Sequence, residues 1–301
     1  MLKLALPKGS LEEGTFRLFE KANMPIYRRN ERDLELKIDD PRISKTIMLR
    51  PQEIPKYVEE GDFDLGITGW DWVREREAVV EVVKDLGYSK RGWGKVKIVL
   101  ATDDQNPIEK LEDINAARSR VITEYPRITR NFFRKIGKGK VSIRFSYGAT
   151  EGKVPALADY FVDVVETGET LRRNRNKVLA IILESSTKLI SNKESWGNDE
   201  KRQAIEEVSL LLSSVIEAEN KILIKMNVSK ENIEKLVDFL PSLRSPTVSP
   251  LYPNGSVNSP GKEWFMVETV VEKSRLNILI PQIKSLGARD ILEIDISKMV
   301  L

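Results

Sequence analysis

The block Asp163-Val164-Val165-Glu166-Thr167-Gly168-Glu169-Thr170-Leu171 holds the strongest chemical pattern in the chain. An apolar strand runs into a Thr-Gly-x-Thr turn, and a helical segment follows it. Backbone amides at a helix start, two hydroxyls and a glycine that lets a ligand come close make a cradle for phosphate. Asp163 and Glu166 lie just before the turn, where they can hydrogen-bond sugar hydroxyls or assist a magnesium ion. The same spacing also suits an ordinary strand-to-helix turn capped by threonine. Lys8-Gly9-Ser10 ends the first strand and puts a cation over the C-terminal sheet edge, where α/β proteins hold ligands. A solvated lysine in a turn would read the same way. Gly66-Ile67-Thr68-Gly69-Trp70-Asp71 adds glycines that would admit a ligand to the backbone, with a carboxylate at the tip. Leu49-Arg50-Pro51 sets an arginine before a helix start, and Tyr125-Pro126-Arg127 repeats the theme.

Composition narrows the chemistry. The 301 residues include no cysteine and no histidine, which excludes disulfides, thiolate ligands, imidazole bases and Ser-His-Asp triads. Carboxylates, Lys, Arg, Tyr, hydroxyls and backbone amides must do the work. The 49 Lys+Arg nearly balance 46 Asp+Glu, so the net charge of +3 gives no case for a nucleic-acid partner. The 41% apolar fraction is ample for a packed core, and no run reaches the ~18 apolar residues of a membrane span. The N-terminus lacks the apolar core of an export signal, so the expected location is cytoplasmic.

These residues need elements to hold them. Residues 2–6, 47–49 and 64–67 read as strands, separated by helices opening at the capping box Ser10-Leu11-Glu12-Glu13 and at Arg50–Pro55, the latter stopped by Gly61. A second cycle has strands at 97–101, 120–122, 141–145 and 160–165, a helix at 126–135 and a short helix at 153–157. Residues 178–183 and 188–191 read as strands returning to the first unit. Alternating strands and helices predict α/β with largely parallel pairing, in two lobes that the chain crosses between more than once, leaving a cleft at the strand ends. After a polar connector, a helix over 200–220 carries Ile205, Val208, Leu211, Leu212, Val215 and Ile216 on one stripe. The tail reads strand, helix, strand, strand, helix, strand: the ferredoxin-like pattern. Ser229 and Ser274 are its expected N-caps, Gly287 a helix stop, and Pro253–Gly261 a loop between its middle strands.

Taken in order, the pieces resemble ATP phosphoribosyltransferase, the first enzyme of histidine biosynthesis, in its long form with a C-terminal regulatory domain. The resembling stretches are Leu6-Pro7-Lys8-Gly9, Leu49-Arg50-Pro51, Asp64–Gly69, Glu124-Tyr125-Pro126, Gly148-Ala149-Thr150-Glu151, Asp163–Leu171 and Ser245-Pro246-Thr247-Val248-Ser249-Pro250-Leu251. Three stretches depart from the family pattern: 151–159 is one residue short, Phe161 replaces a β-branched aliphatic, and Asn227 stands where some members carry aspartate.

The resemblance implies a two-lobed catalytic part like a type II periplasmic binding protein, with lobe I at 1–93 and 178–195, lobe II at 94–177, and a ferredoxin-like regulatory domain at 203–301. It implies transfer of a 5-phosphoribosyl group from phosphoribosyl pyrophosphate to N1 of ATP, with Mg2+ carried by the pyrophosphate. Lys8 would be catalytic. Asp163, Glu166, Thr167, Gly168, Glu169 and Thr170 would bind phosphoribosyl pyrophosphate, and Lys8, Arg50, Gly69, Asp71 and Tyr125 would bind ATP or AMP. Histidine would inhibit at Asn227, Leu243, Ser245 and Thr247, and the chain would form a homo-oligomer between dimer and hexamer. The alternative from another class is a two-lobed binding or sensing protein without turnover.

Overall fold

The computed structural model describes residues 1–89, 92–241, 245–252 and 263–300. They form two units, Met1–Leu210 and Leu211–Leu301.

The first unit holds two sheets. Its seven-stranded sheet runs, edge to edge, Ile26–Tyr27, Glu35–Ile38, Ile43–Leu49, Leu2–Pro7, Leu65–Gly69, Thr187–Ser191 and Glu81–Asp85. Leu2–Pro7 is central and covered on both faces, which is why it reads as an apolar run: Leu2, Leu4, Ala5 and Leu6 are all buried. The five-stranded sheet runs Ser142–Phe145, Arg120–Thr123, Tyr160–Val165, Val96–Asp103 and Asn176–Ser185.

Parallel pairing is limited to two strands and their neighbours. Leu2–Pro7 pairs parallel with both neighbours, and Arg120–Thr123 does so with both of its own. The rest of the pairing is antiparallel: consecutive strands fold back on each other within 26–49, and elsewhere the chain passes from one sheet to the other and back. It leaves the first sheet after Asp85 through a small hairpin, Tyr88–Ser89 with Gly92–Trp93, and re-enters it at Thr187. The expected return at Val178 is therefore one strand early. Asn176–Ser185 pairs with Val96–Asp103 in the second sheet, and only Thr187–Ser191 joins the first.

Two expected local signals are used differently. The helix Glu12–Lys21 begins after Leu11 without a side-chain cap, and Glu12 Oε2 accepts the Gly9 amide at 3.2 Å in place of the Ser10 and Glu13 capping box. Residues 153–157 are a turn, not a helix, with a single Leu157 amide to Lys153 carbonyl bond of 2.8 Å around Pro155, which has no N–H to contribute. Pro55 and Gly61 bracket Ile54–Glu59 as the spacing predicts.

In the second unit the strand order is Thr247–Pro250, Trp264–Glu272, Lys221–Ser229, Arg289–Asp295, all antiparallel, with helices Ile233–Phe239 and Leu276–Ser285 completing the βαββαβ plan. Ile224, Met226, Val228 and Val267 face the helices and pack with Leu236 and Ile283. Ser229 and Ser274 do not cap these helices: each is set back by a short 3-10 turn, at Lys230–Asn232 and Lys273–Arg275. Gly287 does close the second helix, its amide bonding the Lys284 carbonyl at 3.1 Å. The expected loop 253–261 and Leu243 lie outside the described residues.

Candidate active site

A cleft of about 700 Å³ opens in the first unit, lined by Lys8, Arg50, Gly69, Asp71, Tyr125, Asp163 and Glu166–Thr170, whereas Gly66 and Arg127 lie outside it. The ends of first-sheet strands bring Lys8, Arg50, Gly69 and Asp71; the second sheet brings Tyr125, Asp163 and the turn Glu166–Thr170. Lys8 and Arg50 are exposed. Glu124, Asp163 and Glu166 add carboxylates to the lining. Cations, acids and hydroxyls thus meet in one cleft, with Asp71 brought in from the same sheet as Lys8 and Arg50.

The turn has the backbone that its glycine allows. Gly168 has φ of +72°, a left-handed conformation that strains other residues, and the short helix Glu169–Arg173 starts directly after it. Glu169 pairs with Arg173 at 2.6 Å. Asp163 is fixed before the turn: the Thr150 hydroxyl donates to its Oδ2, and the Val164 amide to its Oδ1 at 2.6 Å. Burial pushes the Asp163 carboxyl above its ordinary value, and Glu151 adds to the rise. Glu124 is also raised, by burial first and then by Asp163.

Asp71 and Tyr125 meet each other. The Tyr125 hydroxyl donates to Asp71 Oδ2 at 2.9 Å, the Ser185 hydroxyl donates to Oδ1 at 2.6 Å, and the Asp71 amide donates to Ser185 Oγ at 2.9 Å. All three residues are buried. Burial raises Asp71, while the bonds from Ser185 and Tyr125 draw it back. Burial, reinforced by Asp71, raises Tyr125 far above the usual phenol range, so this hydroxyl keeps its proton.

Packing leaves no room for a side chain at either glycine before Asp71. A Cβ on Gly66 would stand 2.5 Å from Ile54 Cγ2, and one on Gly69 would stand 2.2 Å from Asp71 Oδ1.

Further contacts escaped the sequence reading. Trp72 stacks on Tyr125 with ring centroids 4.6 Å apart. Glu75, one helical turn beyond Asp71, accepts the Arg127 amide at 2.9 Å and the Ile128 amide at 2.9 Å, capping the helix Pro126–Lys135. Asp71 and Glu75 are four residues apart on one helix, a spacing visible in the sequence. Helix Trp70–Arg76 thus clasps the start of helix Pro126–Lys135 through Asp71, Trp72 and Glu75.

In the second unit Asn227 donates to Asp290 Oδ2 at 2.9 Å, and Ser245 and Thr247 are exposed. The register sets Asn227 opposite Met266 and thence Ser249, whereas Thr247 lies one same-face rung away, opposite Glu268.

The profile of the family described as ATP phosphoribosyltransferase matches residues 50–214, more than half of the chain, and that of its C-terminal domain matches residues 218–298. The chain belongs to the ATP phosphoribosyltransferase family. The ATP phosphoribosyltransferase of Thermodesulfovibrio yellowstonii is 40% identical over 300 residues, covering 100% of this chain and 98% of the relative. That of Chlorobaculum parvum is 41% identical over 300 residues with the same coverage. Among solved structures, the ATP phosphoribosyl transferase HisG:HisZ complex from Thermotoga maritima matches with a TM-score of 0.58 and 26% identity, covering 72% of this chain and 99% of the solved one.

Proposed function

We propose that the cleft transfers the 5-phosphoribosyl group of phosphoribosyl pyrophosphate to N1 of the ATP adenine, giving phosphoribosyl-ATP and pyrophosphate, the first step of L-histidine biosynthesis. Family membership along the full chain supports the reaction. The observation that carries it to this cleft is that the Thr-Gly-x-Thr turn lines it together with Lys8 and Arg50.

Adenine N1 has a free lone pair at neutral pH, so its attack on the ribose C1 needs no general base. That suits a chain without histidine whose cleft tyrosine keeps its proton. The barrier lies in separating pyrophosphate from a cation-like ribose, which is positional and electrostatic work. Thr167, Gly168 and Thr170 hold the 5-phosphate, and Asp163 and Glu166 take the ribose hydroxyls and face the positive charge that grows at C1. Glu169, paired with Arg173, borders the phosphate without gripping it. Lys8 is the catalytic cation that meets the departing pyrophosphate. Arg50 and the Asp71–Tyr125 pair, with Gly69 making room for Asp71, form the ATP side. Magnesium enters with the pyrophosphate as part of the substrate.

The second unit serves as the sensor of histidine, with Asn227, Ser245 and Thr247 on or beside its sheet, and the enzyme works as a cytoplasmic homo-oligomer. No helix among the described residues is long and apolar enough to cross a membrane.

Mixing the protein with ATP, phosphoribosyl pyrophosphate and magnesium should yield phosphoribosyl-ATP by mass spectrometry. Absence of that product across pH and temperature would sink the enzyme reading. Millimolar histidine should slow the reaction, and light scattering should show more than one chain per particle. If neither rate nor melting temperature responds to histidine, the sensor role falls.

A further inference from the structure

Ser89 belongs to no part of the machinery described so far, yet its position is unusual. It lies in the hairpin Tyr88–Ser89 with Gly92–Trp93, in the connection that carries the chain from the first sheet to the second. The foot of that hairpin is anchored on the first sheet. The Leu86 amide bonds the Thr187 carbonyl at 2.9 Å, the Thr187 hydroxyl donates to the Tyr88 carbonyl at 2.7 Å, and the buried Tyr88 hydroxyl meets Thr15 Oγ1 at 2.6 Å. From this base the Ser89 hydroxyl donates to Glu166 Oε1, which belongs to the turn on the second sheet. Both residues line the cleft, and Ser89 is only 8% exposed.

A buried hydroxyl reaching from an anchored base to a cleft carboxylate restricts that carboxylate. Glu166 follows the last residue of the strand Tyr160–Val165 and has three side-chain torsions to settle. An unrestrained glutamate samples many rotamers and a ligand must freeze one of them at an entropic cost; the Ser89 bond narrows that set beforehand. We propose that Ser89 is a positioning residue that holds the Glu166 carboxylate in its ligand-ready direction before phosphoribosyl pyrophosphate arrives. It touches neither substrate; it acts through Glu166. The inference rests on the reading of Glu166 as a contact of the ribose hydroxyls.

The test uses the full chain and the variants Ser89→Ala, Ser89→Thr, Glu166→Gln and Ser89→Ala with Glu166→Gln. Initial rates are measured with each substrate varied in turn, together with calorimetric titration of magnesium phosphoribosyl pyrophosphate and a thermal melt. Ser89→Ala should raise KM and Kd for phosphoribosyl pyrophosphate about tenfold, as expected when an orienting bond to a charged group is lost. KM for ATP should stay within about twofold, and the melting temperature within about 2 °C, since a single hydroxyl at the rim of a cleft contributes little to global stability. Ser89→Thr, which keeps the hydroxyl, should restore binding. Glu166→Gln keeps the acceptor oxygen but drops the charge, so the Ser89→Ala effect should be smaller in that background than in the parent, because neighbours acting through one group are not additive. A Ser89→Ala effect shared equally by both substrates, one confined to the melt, or one that adds in full to Glu166→Gln would overturn the proposal. If Glu166→Gln alone leaves phosphoribosyl pyrophosphate binding untouched, the ribose assignment fails and takes the proposal with it. If product forms in that same case, the assignment of the reaction still stands.

Discussion

Glu75 offers a test of what holds the two sides of the cleft together. Its carboxylate is 8% exposed and accepts the Arg127 amide at 2.9 and 3.1 Å and the Ile128 amide at 2.9 Å, at the start of helix Pro126–Lys135. Replacing it with leucine leaves two buried N–H groups without their acceptor. Each orphaned group costs about 1–3 kcal/mol, and the lost charge at a helix N-terminus removes a further ~0.3–1 kcal/mol. Against this, burying the carboxylate is itself unfavourable, which is why burial raises the Glu75 carboxyl above its usual range. A net loss of about 2–4 kcal/mol follows. For a unit of this size each kcal/mol lowers the melting temperature by about 2–4 °C. Glu75→Leu should therefore melt roughly 5–15 °C lower by calorimetry. Glu75→Gln keeps an acceptor oxygen and sheds the buried charge, so it should stay within about 1 kcal/mol of the parent. The reasoning needs the acceptor, not the charge. Equal melting of the Leu and Gln variants would refute it, since the amides would then not depend on Glu75.

Thr167→Val combined with Thr170→Val should weaken phosphoribosyl pyrophosphate use by about 1.5–3 kcal/mol per hydroxyl; unchanged KM and kcat would mean the turn holds no phosphate. Gly69→Ala drives a methyl into Asp71 Oδ1, which Ser185 and Tyr125 tie in place, and should cost about 1–3 kcal/mol in a melt; a variant as stable as the parent would show the carboxylate free to move. Burial pushes the Asp64 carboxyl up, but bonds from Lys201, the Lys3 amide and Ser195, each at 2.7 Å, bring it below its ordinary 3.8. A carboxyl lowered by folding stabilises the protein above the unfolded value, and loses that effect as pH falls through the folded one. The gap between parent and Asp64→Asn should thus be full above about pH 4 and close in acid; a gap constant with pH would contradict it.

Most of the cleft was legible because its parts sit at strand ends, and strand ends are marked by short motifs. Lys8, Arg50, Gly69 and the 163–170 block each follow an apolar run that the sequence makes plain. The ferredoxin-like tail was legible for the same reason: its period-two strands bury Ile222, Ile224, Met226 and Val228 in turn. What was hidden depends on partners distant in the chain. Ser185 matters because Asp71, 114 positions away, needs a donor. Ser89 matters because of Glu166, 77 positions away, and neither serine sits in a pattern of its own. The packing role of the glycines at 66 and 69 was hidden for a related reason. A missing Cβ serves a nearby helix or carboxylate as readily as a ligand, and only the packing tells which. The capping signal at Ser10 failed because Glu12 reached the Gly9 amide instead.

The order of strands in the first sheet also bears on how the chain must be born. Thr187–Ser191 is inserted between Leu65–Gly69 and Glu81–Asp85, so those two strands wait for a partner made about 100 residues after them. At ribosomal speeds of about 5–20 residues per second, that interval lasts roughly 5–20 s. During it the nascent first sheet exposes two raw edges, one of them the glycine-containing strand that ends at the cleft. The first sheet cannot then finish before the whole of the second has been synthesised. The second must grow while the first stands open, and a nascent chain cut short of Ser191 carries a sheet with a gap in its middle. The cleft is therefore among the last features to form, assembled when a late strand closes an early sheet.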